Sequence, residues 1–329
     1  MINPEARLDA NLFDKPKTAA TREGFGAGVV EAGEADPRVV VLTADLAEST
    51  AAHHFRKKFP ERFVQVGVAE QNLVTVASGM ASYGKIPFTT SYAAFSPGRN
   101  WEQIRTTIAL NNMPVVVCGM HVGVLTGPDG ATHQMLEDLA LMRALPNMIV
   151  ISPCDAEEGR KATLAAARAE TPVYLRFARE KTPVVTTVET PFEIGKAALL
   201  WKGDAPQATI FATGTEVSNA LLAARQLEGE GVPVHAVNIH TIKPLDRESI
   251  VRFAKESGAV VTAEEHQTHG GLGGAIAEVL AAEMPTPMEF VAVKDRYGQS
   301  GEAKELIEHY ELGVSHIVAA VKKVIARKG

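Results

Sequence analysis

The 329-residue chain carries 33 basic and 39 acidic residues for a net charge of −6, with 46% hydrophobic and 22% charged residues. This is an ordinary globular composition with no basic block suited to nucleic acid, and the length suits two domains of about 150 residues each. Met1–Asp14 lacks the basic start and apolar run of a signal peptide, and no segment has the apolar length of a membrane span, so a cytoplasmic chain without membrane contact is expected.

Helical spacing runs from Thr18 to Glu34, with Phe25, Val29 and Val30 on one side, and stops near Gly33 and the turn Asp36-Pro37. Val39–Leu42 is a short continuous apolar strand, followed by a helix through Phe55 to Phe59. Phe63–Val66, Ile86–Thr90, Pro114–Cys118, Met148–Ile151 and Pro172–Leu175 read as further strands. Helices are predicted at Trp101–Leu110, Gln134–Arg143 and Ala156–Ala167. Continuous apolar strands alternating with helices predict a mostly parallel sheet covered on both faces, with ligands at the carboxyl ends of its strands.

Periodicity lapses between Lys181 and Pro191, which reads as a linker. A second alternation follows: strands at Ala208–Ala212, Val232–Ile239, Ala259–Thr262 and Phe290–Val293, and helices at Glu216–Gln226, Arg247–Lys255, Gly271–Ala282 and Ser315–Ala326. Two consecutive α/β domains are therefore expected, residues 1–190 and 191–329. Cys118 and Cys154 sit in or beside apolar runs without metal spacing, which predicts buried reduced thiols.

Candidate chemistry follows the strands of the first domain. After Val64-Gln65-Val66-Gly67 comes Glu70, one acid at the head of an otherwise apolar helix with Leu73, Val74, Val76 and Ala77. Aliphatic surroundings oppose its ionisation and the helix dipole favours it; the plain alternative is a first-turn glutamate facing water. Asp45 and Ser49, with Arg22 in the preceding helix, can hold a ligand or cap a helix. Tyr92 and Phe95 can sandwich a flat heterocycle or form a core pair.

The densest stretch is His121, Gly123 and then Gly127-Pro128-Asp129-Gly130-Ala131-Thr132-His133-Gln134. Pro-Asp-Gly is a turn signal and Thr132 a candidate N-cap. Two histidines and an aspartate also offer hydrogen bonds to a polyhydroxylated ligand, and histidine moves protons near neutral pH. Their spacing matches no zinc motif. Arg176 and Arg179 after a strand suit phosphate or carboxylate, or a surface ion pair. In the second domain, Glu264-Glu265-His266 and the glycines after His269 offer an anion-accepting helix start or close helix packing.

Taken together, Gly67-Val68-Ala69-Glu70-Gln71-Asn72, His121 with Gly123, Gly127–Gln134, Thr241-Ile242-Lys243-Pro244-Leu245-Asp246 and Gly298-Gln299-Ser300-Gly301 resemble the transketolase family. The closer likeness is to the C-terminal subunit of transketolases made as two chains. It covers nearly everything after residue 18 and implies a pyrimidine-binding domain followed by a transketolase C-terminal domain.

By that resemblance Glu70 gives a proton to N1′ of the thiamine diphosphate pyrimidine, which lets the cofactor deprotonate its own thiazolium carbon; the hard chemistry belongs to the cofactor. The resemblance likewise places Tyr92 and Phe95 around the pyrimidine and Asp45 near the cofactor. Arg22, Ser49 and Arg179 fall on sugar-phosphate positions. His121, Asp129 and His133 fall on positions that bind substrate hydroxyls, the two histidines also assisting proton transfer. The implied reaction moves a two-carbon ketol unit from a ketose phosphate to an aldose phosphate, with the pentose phosphate pathway as its setting.

The chain departs from the longer transketolases in Ala69 and Asn72, where Arg-Glu-His is usual, and at Gly98, near the third aromatic of the pyrimidine pocket. Ala69-Glu70-Gln71 is also similar to 1-deoxyxylulose-5-phosphate synthase, against which His121 argues. The beta subunits of 2-oxo-acid dehydrogenases share the length and domain pair but are not expected to carry Pro-Asp-Gly-Ala-Thr-His-Gln. A non-catalytic scaffold would have no chemical need for Glu70, His121, Asp129, His133 and Arg179 together.

No Gly-Asp-Gly occurs; Gly203-Asp204-Ala205 comes nearest. The family uses that motif, with a later asparagine, to hold the diphosphate and its divalent cation through oxygen ligands. The resemblance thus implies a smaller N-terminal partner subunit that carries the diphosphate domain and most of the magnesium or calcium site. Self-association into two large and two small subunits is the expected form.

Overall fold

Strand runs that are apolar at every position must be covered on both faces, and the burial of each central strand reflects this. The computed structural model describes residues 1–328. Its strands are β1 (Thr18–Ala20), β2 (Val39–Thr43), β3 (Phe63–Gln65), β4 (Ile86–Tyr92), β5 (Val116–Met120), β6 (Ile149–Ile151), β7 (Val173–Phe177) and β8 (Lys181–Pro183). There follow β9 (Ala198–Trp201), β10 (Ala208–Ala212), β11 (Val234–Asn238), β12 (Thr241–Lys243), β13 (Val260–Gln267) and β14 (Met288–Val293). The chain is α/β with two mostly parallel sheets, as expected.

The first sheet has seven strands in the order β12-β6-β7-β5-β4-β2-β3. All its pairs are parallel except β12 against β6. The second has five, in the order β14-β13-β10-β11-β9, with only β9 antiparallel. Phe25, Phe55, Phe88 and Phe177 fill one face of the first sheet. Helices Thr21–Ala35 and Ala156–Ala166 cross closely there, because Gly24 has no side chain: a Cβ would lie 1.9 Å from the Ala156 carbonyl oxygen.

Several elements differ from the sequence reading. The supposed linker is anchored: β8 pairs with β1, and the Asp155 carboxylate accepts from Val185 N at 2.7 Å and Thr186 N at 2.6 Å. The helix predicted from Gln134 begins only at Asp138, and the one predicted over Trp101–Leu110 widens into a π-helix at Ile104–Ala109. Strands β9 and β12 and the helix Ala303–His309 are not among the elements expected from the sequence. Strand β12, although it follows β11 of the second sheet, crosses to the edge of the first and ties the two together. Among the described residues no helix is long and apolar enough to cross a membrane.

Candidate functional site

The parallel register aligns the carboxyl ends of neighbouring strands. Thr43 pairs with Thr90, Tyr92 with Met120, and Met120 with Phe177, so the loops that begin at Ala44, Ala93, His121 and Ala178 leave one edge together. Three non-glycine residues in these loops have left-handed backbones, Asp45 at φ 62°, Ala51 at φ 61° and His121 at φ 57°. Such strain persists only where surrounding structure imposes it, and it concentrates at functional sites.

His121 is buried and stacks on Tyr92 with ring centroids 4.1 Å apart at 20°. His133 meets Tyr92 and Phe95 edge-on at 5.9 and 5.3 Å, and the two aromatics lie 6.1 Å apart. Arg22 Nη1 lies 2.7 Å from His121 Nε2 and donates to the Ser49 carbonyl at 2.9 Å. Burial and then the Arg22 charge pull His121 down to about 3, with Arg179 and His133 adding to the fall and the Ser49 carbonyl opposing it. The ring is therefore neutral near pH 7. Nε2 sits between a group that can only donate, the Arg22 guanidinium, and one that can only accept, the Ser49 carbonyl 3.2 Å away, so its role and that of Nδ1 follow from the tautomer. That Nδ1 is buried with no partner among the described residues, a hydrogen-bonding group left unused.

Glu70 heads the helix Glu70–Ser82 and is only 2% exposed. Its Oε2 accepts from Arg99 Nη1 at 2.7 Å, and Arg99, half-exposed, lies over the Phe95 ring with its guanidinium carbon 5.0 Å from the centroid. Asn100 Nδ2 donates to the Glu70 carbonyl at 2.7 Å. The water-facing alternative for Glu70 is excluded, and Arg99 joins it to the aromatic group. Sequence reasoning missed Arg99 and Asn100. Asn100 immediately precedes the helix at Trp101, a capping position, yet it caps nothing and turns to Glu70 instead. At Gly98 a Cβ would lie 2.1 Å from the Ala94 carbonyl oxygen, so the backbone leaves no space for a third aromatic at that position.

Arg179 Nη1 donates to the Thr126 carbonyl at 2.7 Å and pairs with Asp129 at 3.3 Å. The structure thus gathers Arg22, Tyr92, Phe95, His121, His133, Asp129, Arg179 and, through Arg99, Glu70. Ser49 joins by its carbonyl, while its hydroxyl donates to Leu46 O at 3.3 Å. Asp45 stands apart from the rings, exposed, its N–H donating to Gln65 Oε1 at 2.7 Å.

The glycine-rich helix start in the second domain is already filled. Glu264 accepts from Leu272 N at 2.7 Å and Gly273 N at 2.8 Å, so the anion at this helix terminus is the protein's own carboxylate. Among the described residues no group of three or more His, Cys, Asp or Glu is placed to hold a metal ion. Cys118 and Cys154 are both buried and unpaired, and burial pushes both thiols well up.

Comparison with known proteins places these features in context. The model of the transketolase pyrimidine-binding domain matches residues 17–184, and that of the transketolase C-terminal domain matches residues 195–317. A Methanocaldococcus jannaschii protein, provisionally named a transketolase C-terminal section, is 41% identical over 310 residues, 93% of this chain and 96% of that one. A 6-deoxy-6-sulfo-D-fructose transketolase subunit from Clostridium sp. is 39% identical over 300 residues, 91% of this chain and 92% of the relative. A solved split-gene transketolase, described as an inactive beta4 tetramer, superposes with a TM-score of 0.88 at 45% identity, over 94% of this chain and 99% of that one.

Proposed function

The chain belongs to the transketolase family, and on that premise we propose that it is the C-terminal subunit of a two-chain transketolase. It acts with thiamine diphosphate to move a two-carbon ketol unit from a ketose phosphate to an aldose phosphate. The observation that carries this reading is one buried acid joined, at a single sheet edge, to two aromatic rings, a neutral histidine and three arginines.

These residues fit the pyrimidine half of the cofactor. Glu70 is shielded from water and borders the Phe95 ring through Arg99, and the buried Nδ1 of His121 is a hydrogen-bonding group without a partner among the described residues. They do not fit the diphosphate half, since no metal-holding group occurs among the described residues. When bound, thiamine diphosphate would supply a nucleophilic carbon and an electron sink for the transferred unit. Glu70 holds a proton at the pyrimidine N1′. Its present partner Arg99 is half-exposed, so water can take over that charge when a pyrimidine arrives.

On the substrate side, Arg22 and Arg179 offer donors to an anionic group, and Asp129 orients Arg179. His121 and His133 bind hydroxyls, His121 as a neutral hydrogen-bonding group and not as an acid at pH 7. A partner subunit supplies the cation and diphosphate site, with two large and two small subunits in the assembly. The description of the 45% identical beta tetramer as inactive supports that division, as do the exposed apolar side chains Val68, Tyr83 and Leu110 at or near the helix that Glu70 heads.

The sulfo-sugar relative favours a second substrate class: a sulfonate, like a phosphate, is a tetrahedral oxyanion that Arg22 and Arg179 can pair with. Competition between xylulose 5-phosphate and a 6-sulfonated ketose separates the two. The division of labour is tested by titrating thiamine diphosphate and magnesium into this chain with and without an N-terminal subunit. Tight binding requires the mixture; tight binding by this chain alone overturns the reading.

A further inference from the structure

The second sheet contributes none of the ligand-facing residues, yet one of its side chains reaches beneath the loop that carries most of them. Glu265, on β13, is buried. Its carboxylate accepts from Leu125 N at 2.6 Å and from Thr215 Oγ1 at 2.9 Å. Its carbonyl accepts from Arg176 Nη2 at 2.8 Å, and Arg176 grips Asp138 with bonds of 2.8 and 3.2 Å.

The fit is close. Gly123 has φ +74°, and a Cβ there would lie 2.1 Å from Glu265 Oε1. The residue after Leu125 is Thr126, whose hydroxyl donates to the His121 carbonyl at 2.7 Å and whose own carbonyl accepts from Arg179 at 2.7 Å. Arg179 in turn pairs with Asp129 at 3.3 Å. A continuous set of bonds therefore runs from the second domain through Leu125 and Thr126 to three residues of the substrate side.

A buried carboxylate is costly to keep without a compensating use. Among the described residues its hydrogen-bond partners are Leu125 N and Thr215 Oγ1, and Arg176 bonds the carbonyl and not the carboxyl group. Burial pushes Glu265 up to about 7, with Arg176, Leu125 and Thr215 pulling it back. Its two bonds fix a backbone amide and a hydroxyl, which is what positioning a loop requires.

We propose that Glu265 is a positioning residue through which the second domain sets the substrate loop, holding His121, Asp129 and Arg179 in register while leaving the Glu70 side untouched. The inference rests on the transketolase reading for its kinetic consequence but not for its structural one. The tests are Glu265→Ala, which strands the Leu125 N–H, and Glu265→Gln, whose amide oxygen can accept from Leu125 while its nitrogen donates to Thr215 Oγ1.

In the complex with an N-terminal subunit, Glu265→Ala raises KM for xylulose 5-phosphate roughly tenfold to a hundredfold, as expected of displaced binding groups. Thiamine diphosphate affinity and kcat stay within about twofold, and Glu265→Gln restores KM. Unchanged KM in Glu265→Ala, an equal loss of cofactor affinity, or no rescue by Glu265→Gln overturns the proposal. Should Glu265→Ala fail to assemble, Thr215→Val removes a single bond and is expected to shift KM in the same direction.

Amide hydrogen exchange of the full chain gives a readout free of activity. Exchange at residues 123–126 accelerates in Glu265→Ala and not in Glu265→Gln; equal protection in both refutes the positioning role. Absence of ketol transfer in the wild-type complex refutes the functional reading instead, and exchange then still decides the role of Glu265.

Discussion

Acidification offers a test of the electrostatics around His121. The ordinary value of the ring is 6.5 and the folded value is about 3, burial being the main cause and Arg22 the next. Between those values the unfolded chain takes up a proton that the native chain refuses, so stability is full above 6.5 and is lost as pH falls. The ceiling is roughly 5 kcal/mol near pH 3, and between pH 7 and pH 5 the loss is roughly 2 kcal/mol. A raw pH profile is not diagnostic, because the buried acids Glu158, Glu216, Glu264 and Glu265, pushed up to about 7, 8, 7 and 7, act in the opposite sense. The difference between wild type and His121→Asn isolates the ring, and asparagine tolerates the left-handed backbone at this position. Denaturant unfolding at both pH values, followed by circular dichroism, should show wild type losing roughly 2 kcal/mol more than the variant. Equal losses, within about 0.5 kcal/mol, would refute the account of a neutral, charge-excluding His121.

Glu70→Ala should fold and assemble, because Asn100 holds the backbone at that residue and not the carboxylate; its turnover should fall about a hundredfold or more in steady-state assays. Arg179→Gln should raise KM for phosphorylated sugars by roughly tenfold or more while sparing their unphosphorylated counterparts, as measured by paired kinetics. Asp138→Asn breaks a fully buried pair with Arg176 and weakens the bond from Tyr174 OH, 2.8 Å long, so thermal or denaturant unfolding should register a loss of roughly 3–5 kcal/mol.

The sheet edge was legible because each strand before it carries a short apolar run and the candidate groups lie at the strand ends or in the loops that follow. Parallel pairing then does the rest, bringing Asp45, Tyr92, His121 and Arg179 to one side although they are far apart in sequence. Contacts between distant segments were not legible. Arg99 reaches Glu70 across a separation of 29 residues and Glu265 reaches Leu125 across 140, and no local pattern encodes either. The same cause displaced a helix start: Thr132 looked like an N-cap, but the Gln134 side chain donates to Gly127 O at 3.0 Å and Gln299 O at 2.9 Å, which holds the chain irregular until Asp138. The glycines after His269 suggested an external anion because periodicity cannot show that Glu264, eight residues before Leu272, already fills the helix start.

The central claim is tested most directly by a ketol-transfer assay with xylulose 5-phosphate, ribose 5-phosphate, thiamine diphosphate and magnesium. It is run on this chain alone and after mixing with an N-terminal transketolase subunit. The account predicts turnover in the mixture and none in the chain alone. Turnover by the chain alone, or none from a folded complex of both subunits, would contradict it.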